Sequence, residues 1–319
     1  VHFATLLSRG LSSSRVKDGE NRASRRVALC SYEVSVSPKR RYGVKRVTRR
    51  DDGLLVIHNG DVSMVICIPS RGRAHRVINH PFFALGNIFV AESEMEDYGR
   101  TFAEAKAIPG SLIAHNADGS LPRIRNFMLD HKHEANFEMQ LDDDYAGMHY
   151  LFTLRSAQAR TSDPSRIIDI FTRSYLCASD MGTGLFCFAQ TAVPYERHSF
   201  SPFRLRGWGM GACMGHLRPD VLRFDENLRV KDDLDLCLQA IAQFKYLWQD
   251  MRYWGWCDET GGRTGADTGG LANIRTSDAE SRDIRYLQEK YGRDVVTPDG
   301  KQRGSGMTVR VKIPQKYKE

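Results

Sequence analysis

Residues 137–144 read Phe-Glu-Met-Gln-Leu-Asp-Asp-Asp. The alternation of side chains over 137–141 predicts a half-buried β-strand, and this strand runs directly into three carboxylates. In open α/β sheets, ligands bind beyond the carboxyl ends of the strands, so acidic residues at this point are placed for chemistry. An acidic surface turn is the alternative that such a triplet allows.

Short apolar runs alternate with helix-period segments on either side of this stretch. The pattern predicts strands over 64–68, 88–91, 112–114 and 185–189, and helices from about 74 to 85, over 97–107, after Pro122, over 167–176 and from 277 to 292. Such alternation is typical of βαβ units. We therefore predict an α/β fold with a mixed, mostly parallel sheet flanked by helices. Its two halves would cover residues 61–145 and 146–292.

Asp142 and Asp144 are candidate metal ligands. Because the side chains of a strand alternate with a period of two, Asp142 and Asp144 are predicted to face the same way. They would then offer two hard oxygen ligands to Mg²⁺ or Mn²⁺, ions that often complete their shells with substrate phosphates.

A second acidic group lies at residues 231–235, which read Lys-Asp-Asp-Leu-Asp and open a predicted amphipathic helix. Capping and the helix dipole favour acidic residues there without any function, each contributing about 0.3–1 kcal/mol. The dipole would also keep a carboxylate ionised, as a general base requires. The pattern leaves both interpretations open.

The composition excludes several classes of protein. The chain has 319 residues, 46 Lys and Arg against 39 Asp and Glu, and 41% hydrophobic residues, which fits a globular protein and not a disordered or fibrous one. No apolar run approaches the roughly 20 residues that span a bilayer. The seven cysteines form no C-x-x-C pair, which favours reduced thiols and an intracellular protein.

The net charge of +7 is concentrated near the N-terminus. Residues 1–60 hold 13 Lys and Arg against 5 Asp and Glu, so we predict a basic arm there, with Arg40 and Arg41 among its phosphate-binding residues. A solvated tail is the alternative. Residues 293–319 are predicted to form a basic C-terminal tail.

The segment 202–211 is rich in arginine, glycine and aromatic residues. Arg204 and Arg206 are candidate phosphate contacts, and Trp208, flanked by glycines, is expected to be exposed for stacking on a base. A plain hairpin would explain the same residues.

Several motifs in one order resemble those of the GT-A glycosyltransferases. They are a strand and loop over 65–73 with the sequence VICIPSRGR, Ile-Arg-Asn at 124–126, the aspartates at 142–144, the glycines at 207–215 and Lys-Asp-Asp at 231–233. Within that fold, residues 62–292 resemble the TET/JBP-associated glycosyltransferases, which include the base J glucosyltransferase and phage enzymes that glycosylate hydroxymethylpyrimidines in DNA.

The resemblance implies a role for each matching residue. The nucleotide-sugar donor would be held by Pro69, Ser70, Arg71, Arg73, Arg125, Asp142 and Asp143. The divalent metal would be ligated by Asp144, with Asp142 near the ribose or in the metal shell. Asp233 would act as the base, and Asp232 stands where the family usually has Glu. No histidine follows His216, so the family's late metal ligand would be replaced by Asp258, Asp267 or water.

The function implied by the resemblance is metal-dependent transfer of a sugar, from UDP-glucose or a related donor, to a hydroxymethylated pyrimidine in DNA. Such an enzyme would work in the host cytoplasm if phage-encoded and in the nucleus if eukaryotic. The alternatives are a GT-A transferase that acts on protein or glycan, and a non-catalytic nucleic-acid-binding or scaffold protein with the same fold.

Overall fold

The structure, a computed structural model, describes residues 31–33, 45–117, 119–131, 134–151, 159–190, 201–257, 276–303 and 306–312. In this part of the chain, thirteen strands form one sheet and two form a separate hairpin. The strands of the sheet are β1 (Ser31–Glu33), β2 (Lys45–Arg49), β3 (Leu55–Asn59), β4 (Val62–Pro69), β5 (Asn87–Ala91), β6 (Ser111–His115), β7 (Phe137–Leu141), β8 (Tyr145–Tyr150), β9 (Arg160–Thr161), β10 (Leu185–Ala189), β11 (Phe203–Arg204), β12 (Cys213–His216) and β13 (Trp248–Cys257). The hairpin consists of β14 (Val296–Arg303) and β15 (Gly306–Val311).

Helices flank the sheet. The α-helices in the described residues are α1 (Ala74–Val77), α2 (Met95–Glu104), α3 (Leu121–Leu129), α4 (Pro164–Asp180), α5 (Asp232–Phe244) and α6 (Ser277–Tyr291). None of them combines the length and the apolar character needed to cross a bilayer.

The sheet is mixed, as predicted, but it is not mostly parallel. β4 pairs in parallel with β5 and β7, β5 with β6, and β10 with β13. The other eight pairings between described strands of this sheet are antiparallel. The connections before β3 and β4 are too short for the crossover that a parallel pair needs, which is why this part of the sheet is an antiparallel meander.

β4 is buried on both faces, as expected of a parallel strand in an α/β sheet. Met64 and Ile66 belong to a core cluster that includes Phe171 of α4. Val65 belongs to a different cluster, with Met128 of α3. Because β4 and β7 are parallel neighbours, the loop after Pro69 and the aspartates after Leu141 leave the sheet at the same edge.

The predicted arm boundary at residue 60 does not follow the fold. Residues 45–59 form β2 and β3 of the large sheet, with Leu55 and Ile57 in its core. Lys45 is buried as well, where it donates to the hydroxyl of Ser165 (2.8 Å) and pairs with Asp169 of α4 (3.0 Å). Arg40 and Arg41 lie outside the described residues.

The predicted C-terminal tail also contains ordered structure. Residues 296–311 form the β14–β15 hairpin, apart from 304 and 305, which lie outside the described residues. Val296 is fully buried in a cluster with Ile284 and Leu287 of α6. The hairpin is therefore part of the packed molecule, and the basic charge of the segment does not make it peripheral.

Candidate active site

The three aspartates after β7 form a tight turn into β8. The backbone N–H of Asp142 donates to the carbonyl of Ala212 (3.2 Å), and the N–H of Tyr145 donates to the carbonyl of Asp142 (3.0 Å). The strand therefore ends at Leu141, and the period of two does not continue through the acidic residues. What brings Asp142 and Asp144 together is the turn.

Asp143 points inward and fixes the loop that follows β4. Its carboxylate accepts from the Ser70 hydroxyl (3.0 Å) and from Nη1 of Arg73 (2.8 Å). The Tyr98 hydroxyl bonds to both ends of this loop, at the Ser70 hydroxyl (2.8 Å) and the Arg73 backbone N–H (3.0 Å). Burial raises the pKa of Asp143, although Arg73 opposes the rise. Asp143 thus holds the predicted nucleotide loop in place.

Asp142 and Asp144 keep part of their surface in solvent, with 34% and 28% of their side chains exposed. Burial raises the pKa of Asp144 to about 6, and the charges of Asp142 and Asp143 act in the same direction. The nearest guanidinium nitrogen of Arg73 lies 3.9 Å from Asp144. The turn therefore concentrates negative charge that a cation would relieve.

The two arginines of the loop after β4 differ in position. Arg73 is buried against the aspartates, whereas the Arg71 side chain is 63% exposed and lies 3.9 Å from Glu94. The intervening Gly72 has a φ of +63° and donates its N–H to Glu94 (2.8 Å). This left-handed conformation, which suits glycine, turns the two arginines to different sides. Arg71 is the one left open to solvent.

Arg125 joins the two acidic groups of the sequence. It is 3% exposed, donates to Asp142 (3.0 Å), and lies with Nη1 3.2 Å from the carboxylate of Asp232. Burial alone would lower the pKa of Arg125, but the charges of Asp232 and Asp142 raise it. A Cβ at Gly211 would stand 2.5 Å from Nη1 of Arg125, so the close approach requires glycine there.

The aspartates of α5 occupy different environments. Asp232 is buried beside Arg125, and burial raises its pKa to about 6 against the opposing effect of that arginine. Asp233 is only half-buried and accepts from the backbone N–H groups of Gly211 (3.2 Å) and Leu234 (2.7 Å). The N-cap residue is Lys231, without a side-chain cap bond. N-capping therefore does not explain these acids.

Asp235 serves the packing of α5 against α6. It is fully buried and accepts from the Tyr291 hydroxyl (2.8 Å) and the Gln239 amide (2.6 Å), and it pairs with Lys290 (2.8 Å). These contacts are sufficient to explain why an aspartate stands at this position, without any role in catalysis.

The described residues supply only part of a ligand set for a divalent metal. No group of three or more His, Cys, Asp and Glu side chains among the described residues could hold an ion. Asp142 and Asp144 supply two partly exposed carboxylates, and Mg²⁺ is commonly bound by one or two carboxylates plus substrate phosphates. The alternative ligands Asp258 and Asp267 lie outside the described residues.

Three residues predicted to bind nucleic acid lie in the 202–211 segment, and two of them are exposed as expected. Arg204 and Arg206 are exposed. The prediction that Trp208 is exposed was wrong: its side chain is half-buried and packs against two hydrophobic clusters, one containing Leu236 and the other Leu238. Flanking glycines let the chain approach the sheet closely, which draws the indole inward.

Sequence reasoning missed two residues that organise the site. Tyr98 looks like an ordinary apolar position of a helix, and nothing in the pattern signals its hydroxyl contacts. Asn126 exchanges two hydrogen bonds with the backbone of Phe224 (2.8 and 2.9 Å) and donates to Glu226 (3.1 Å). It thereby anchors the segment that leads into α5. Its place in the Ile-Arg-Asn motif at 124–126 was a signal, but it gave the residue no role.

Comparisons with known proteins give weak likenesses only. No protein-family model matches the chain. No curated protein matches it either. Among solved structures, it is similar to S. aureus TarS 1–349 (10% identity, 59% of this chain and 60% of that chain, TM-score 0.35). It is also similar to the same protein in complex with UDP-GlcNAc (8%, 70% and 66%, TM-score 0.36).

A third similar structure is CMP:2-keto-3-deoxy-manno-octonic acid synthetase complexed with CTP, at 12% identity over 71% of this chain and 98% of that chain, with a TM-score of 0.35. The chain spans less than two thirds of the length of either TarS chain. Identities of 8% to 12% are too low to infer a function from these structures. A functional inference for this chain therefore has to rest on the geometry of the site.

Proposed function

We propose that this protein is a metal-dependent GT-A glycosyltransferase that moves a sugar from a nucleotide-sugar, with UDP-sugars favoured, to the hydroxyl of a 5-hydroxymethylpyrimidine in DNA. One observation supports this most. Buried Arg125 links the partly exposed Asp142 to the N-terminus of α5, where Asp233 is the more accessible acid. Groups suited to a metal-bound diphosphate and a group suited to proton transfer therefore lie in one site.

The donor would lie on the loop after β4 and beside the turn after β7. Asp142 and Asp144 would hold Mn²⁺ or Mg²⁺, which when bound neutralises charge on the leaving diphosphate. Arg71 is free to reach the nucleotide, because it is exposed at this edge of the sheet. Asp143 would act through Ser70 and Arg73, whose positions it fixes.

Asp233 is the proposed base. Two backbone N–H groups, of Gly211 and Leu234, donate to its carboxylate and hold it in place. Asp233 would take the proton of the acceptor hydroxyl as the oxygen attacks the anomeric carbon and the bond to the diphosphate breaks. General-base catalysis of this kind typically contributes about 10²–10⁴-fold. Asp232, held by Arg125, would position the start of α5.

The DNA acceptor rests on the resemblance of residues 62–292, on the net charge of +7 and on exposed Arg204 and Arg206. A base inside a duplex would have to leave the stack to bring its hydroxymethyl group to Asp233. An acceptor inside the cell would agree with the cysteine pattern, which favours reduced thiols.

The test is nucleoside mass spectrometry after incubation with Mn²⁺, pooled nucleotide sugars and DNA that contains hydroxymethylcytosine, hydroxymethyluracil or neither. We expect a hexose mass gain on one modified base only. Hydrolysis of a donor without any gain on DNA would move the acceptor to protein or glycan. Absence of any donor turnover would contradict the glycosyltransferase proposal. The anomeric configuration of the product would show whether transfer inverts or retains.

A further inference from the structure

A cavity of about 550 Å³ lies beside the first turn of α3, and none of its lining residues belongs to the proposed active site. Arg123 lines it from α3, Glu226 and Arg229 from the segment that precedes α5, and Arg282 from α6. Three separate parts of the chain thus bring guanidinium groups to one space.

The charge of this arginine cavity is only partly balanced. Arg123 lies 3.5 Å from Glu226, the only acidic residue in the lining. Arg282 uses Nε and Nη2 on Asp283 and on the carbonyl of Asn227. Arg229 is exposed, and its side chain has no partner among the described residues. Since Arg123 pairs with Glu226 and Arg282 with Asp283, the surplus positive charge of the cavity is that of Arg229.

Three backbone N–H groups near the arginine cavity already have hydrogen-bond acceptors within the protein. The buried carboxylate of Asp283 accepts from the N–H groups of Arg229 and Val230 (both 2.8 Å), which fixes the backbone that presents Arg229. Ser120 caps α3 by accepting from the Arg123 N–H (3.4 Å). Arginine guanidinium forks suit phosphate oxygens, which can take two hydrogen bonds from one fork.

The cavity is close to the proposed base along the chain. Arg229 precedes Asp233 by four residues, so their Cα atoms lie within about 14 Å even if the chain is extended. Asn126 links the two regions from α3, because it bonds to Glu226 of the cavity and follows Arg125 of the active site. A DNA strand advances about 3.4 Å per nucleotide in B-form, so this span covers a few nucleotides.

We infer that the arginine cavity binds a backbone phosphate of the DNA acceptor, close to the base that receives the sugar. The inference rests on the proposed function. Under the proposed function the donor diphosphate would lie elsewhere, at the sheet edge beside Arg71, Arg73, Asp142 and Asp144. A phosphate contact positions the strand and carries no sequence preference of its own.

The experiment compares Arg229→Ala with Arg285→Ala. Both remove one exposed arginine, but Arg285 of α6 does not line the cavity. Affinity for fluorescent DNA oligonucleotides, with and without hydroxymethylcytosine, is measured by anisotropy from low to high salt. UDP binding is measured by calorimetry on the same proteins.

We expect Arg229→Ala to weaken binding of both oligonucleotides roughly tenfold at low salt, the loss of one charge-assisted contact. The slope of log affinity against log salt should fall by about one. UDP affinity should not change, and Arg285→Ala should match the wild type in every measurement.

Each contrary outcome leads to a different conclusion about the arginine cavity and the DNA acceptor. If the wild type binds DNA and Arg229→Ala binds it equally, the arginine cavity is not a phosphate site, while the DNA acceptor stands. Weakened UDP binding in Arg229→Ala would assign the cavity to the donor and overturn the inference. An effect limited to the hydroxymethylated oligonucleotide would indicate base recognition and overturn it too. Absence of DNA binding by the wild type would remove both the acceptor and the inference.

Discussion

The strand cluster (Asp142, Asp143 and Asp144) and the helix cluster (Asp232, Asp233 and Asp235) look alike in the sequence but differ in how their charges are balanced. In both, the buried members face a cation: Asp143 faces Arg73, Asp232 faces Arg125 and Asp235 faces Lys290. The strand cluster leaves two partly exposed carboxylates, and the helix cluster leaves one. Two adjacent carboxylates suit a cation, whereas a single one suits a proton. Burial, and not the number of aspartates, therefore distinguishes the two clusters and the roles proposed for them.

The largest effect is expected from Asp233→Asn. An amide cannot accept the hydroxyl proton, so transfer should fall about 10²–10⁴-fold while donor affinity stays the same. Initial rates of nucleoside glycosylation, together with UDP calorimetry, check this. Asp180→Asn, an exposed change at the end of α4, is the control. Transfer at the wild-type rate would place the base elsewhere.

Asp235→Ala should act on stability instead. It removes the carboxylate that accepts from the Tyr291 hydroxyl and one of the two carboxylates that pair with Lys290, which keeps Asp225. Loss of a fully buried hydrogen-bond partner of this kind typically costs about 2–3 kcal/mol. Urea denaturation gives the free energy of unfolding. The half-buried Asp233→Asn should change it by about 1 kcal/mol or less. Equal losses in the two variants would erase the distinction within the helix cluster.

Asp144→Asn tests the metal site proposed at the strand cluster. Removal of one anionic ligand should lower Mn²⁺ affinity by about 10- to 100-fold, a range seen even for groups around metal ligands. Free Mn²⁺ is measured by electron paramagnetic resonance in the presence of UDP, with Asp180→Asn as the control. Unchanged affinity would remove Asp144 from the proposed metal site.

The smallest effect is expected from Gly211→Ala, which tests the link between the clusters. The added Cβ would meet Arg125 at 2.5 Å, and overpacking of this kind costs about 1–3 kcal/mol. Transfer should fall as Arg125 shifts. Gly99→Ala is the matched control, because its Cβ would enter open space on α2. A Gly211→Ala protein with wild-type stability and transfer would show that the two clusters work independently.

Elements set by local pattern were predictable. The strands over 137–141 and 185–189 match β7 and β10, and the helix over 277–292 matches α6 to within one residue. The helix expected from 74 to 85 ends at Val77 instead. Pro81 explains this, because proline cannot continue a helix and restricts the residue before it.

Elements set by distant partners were not predictable. Basic side chains made residues 45–59 look like an arm, but the buried acceptors of Lys45 are contributed by α4. The sequence singles out the aspartates as candidates, and their catalytic and metal-binding roles stay predictions. Which of them are buried in ion pairs could not be predicted, because that depends on Arg73, Arg125 and Lys290, whose contacts no local pattern encodes.

The burial of Lys45 also has a consequence for synthesis of the chain. Its partner Ser165 is 120 residues further on, so β2 leaves the ribosome long before the side chain can be enclosed. At about 5–20 residues per second, the delay is roughly 6–24 s. During that time the ammonium group must stay in water, which keeps the first strands from closing on a core without α4. The N-terminal edge of the sheet therefore cannot become native before α4 has been synthesised.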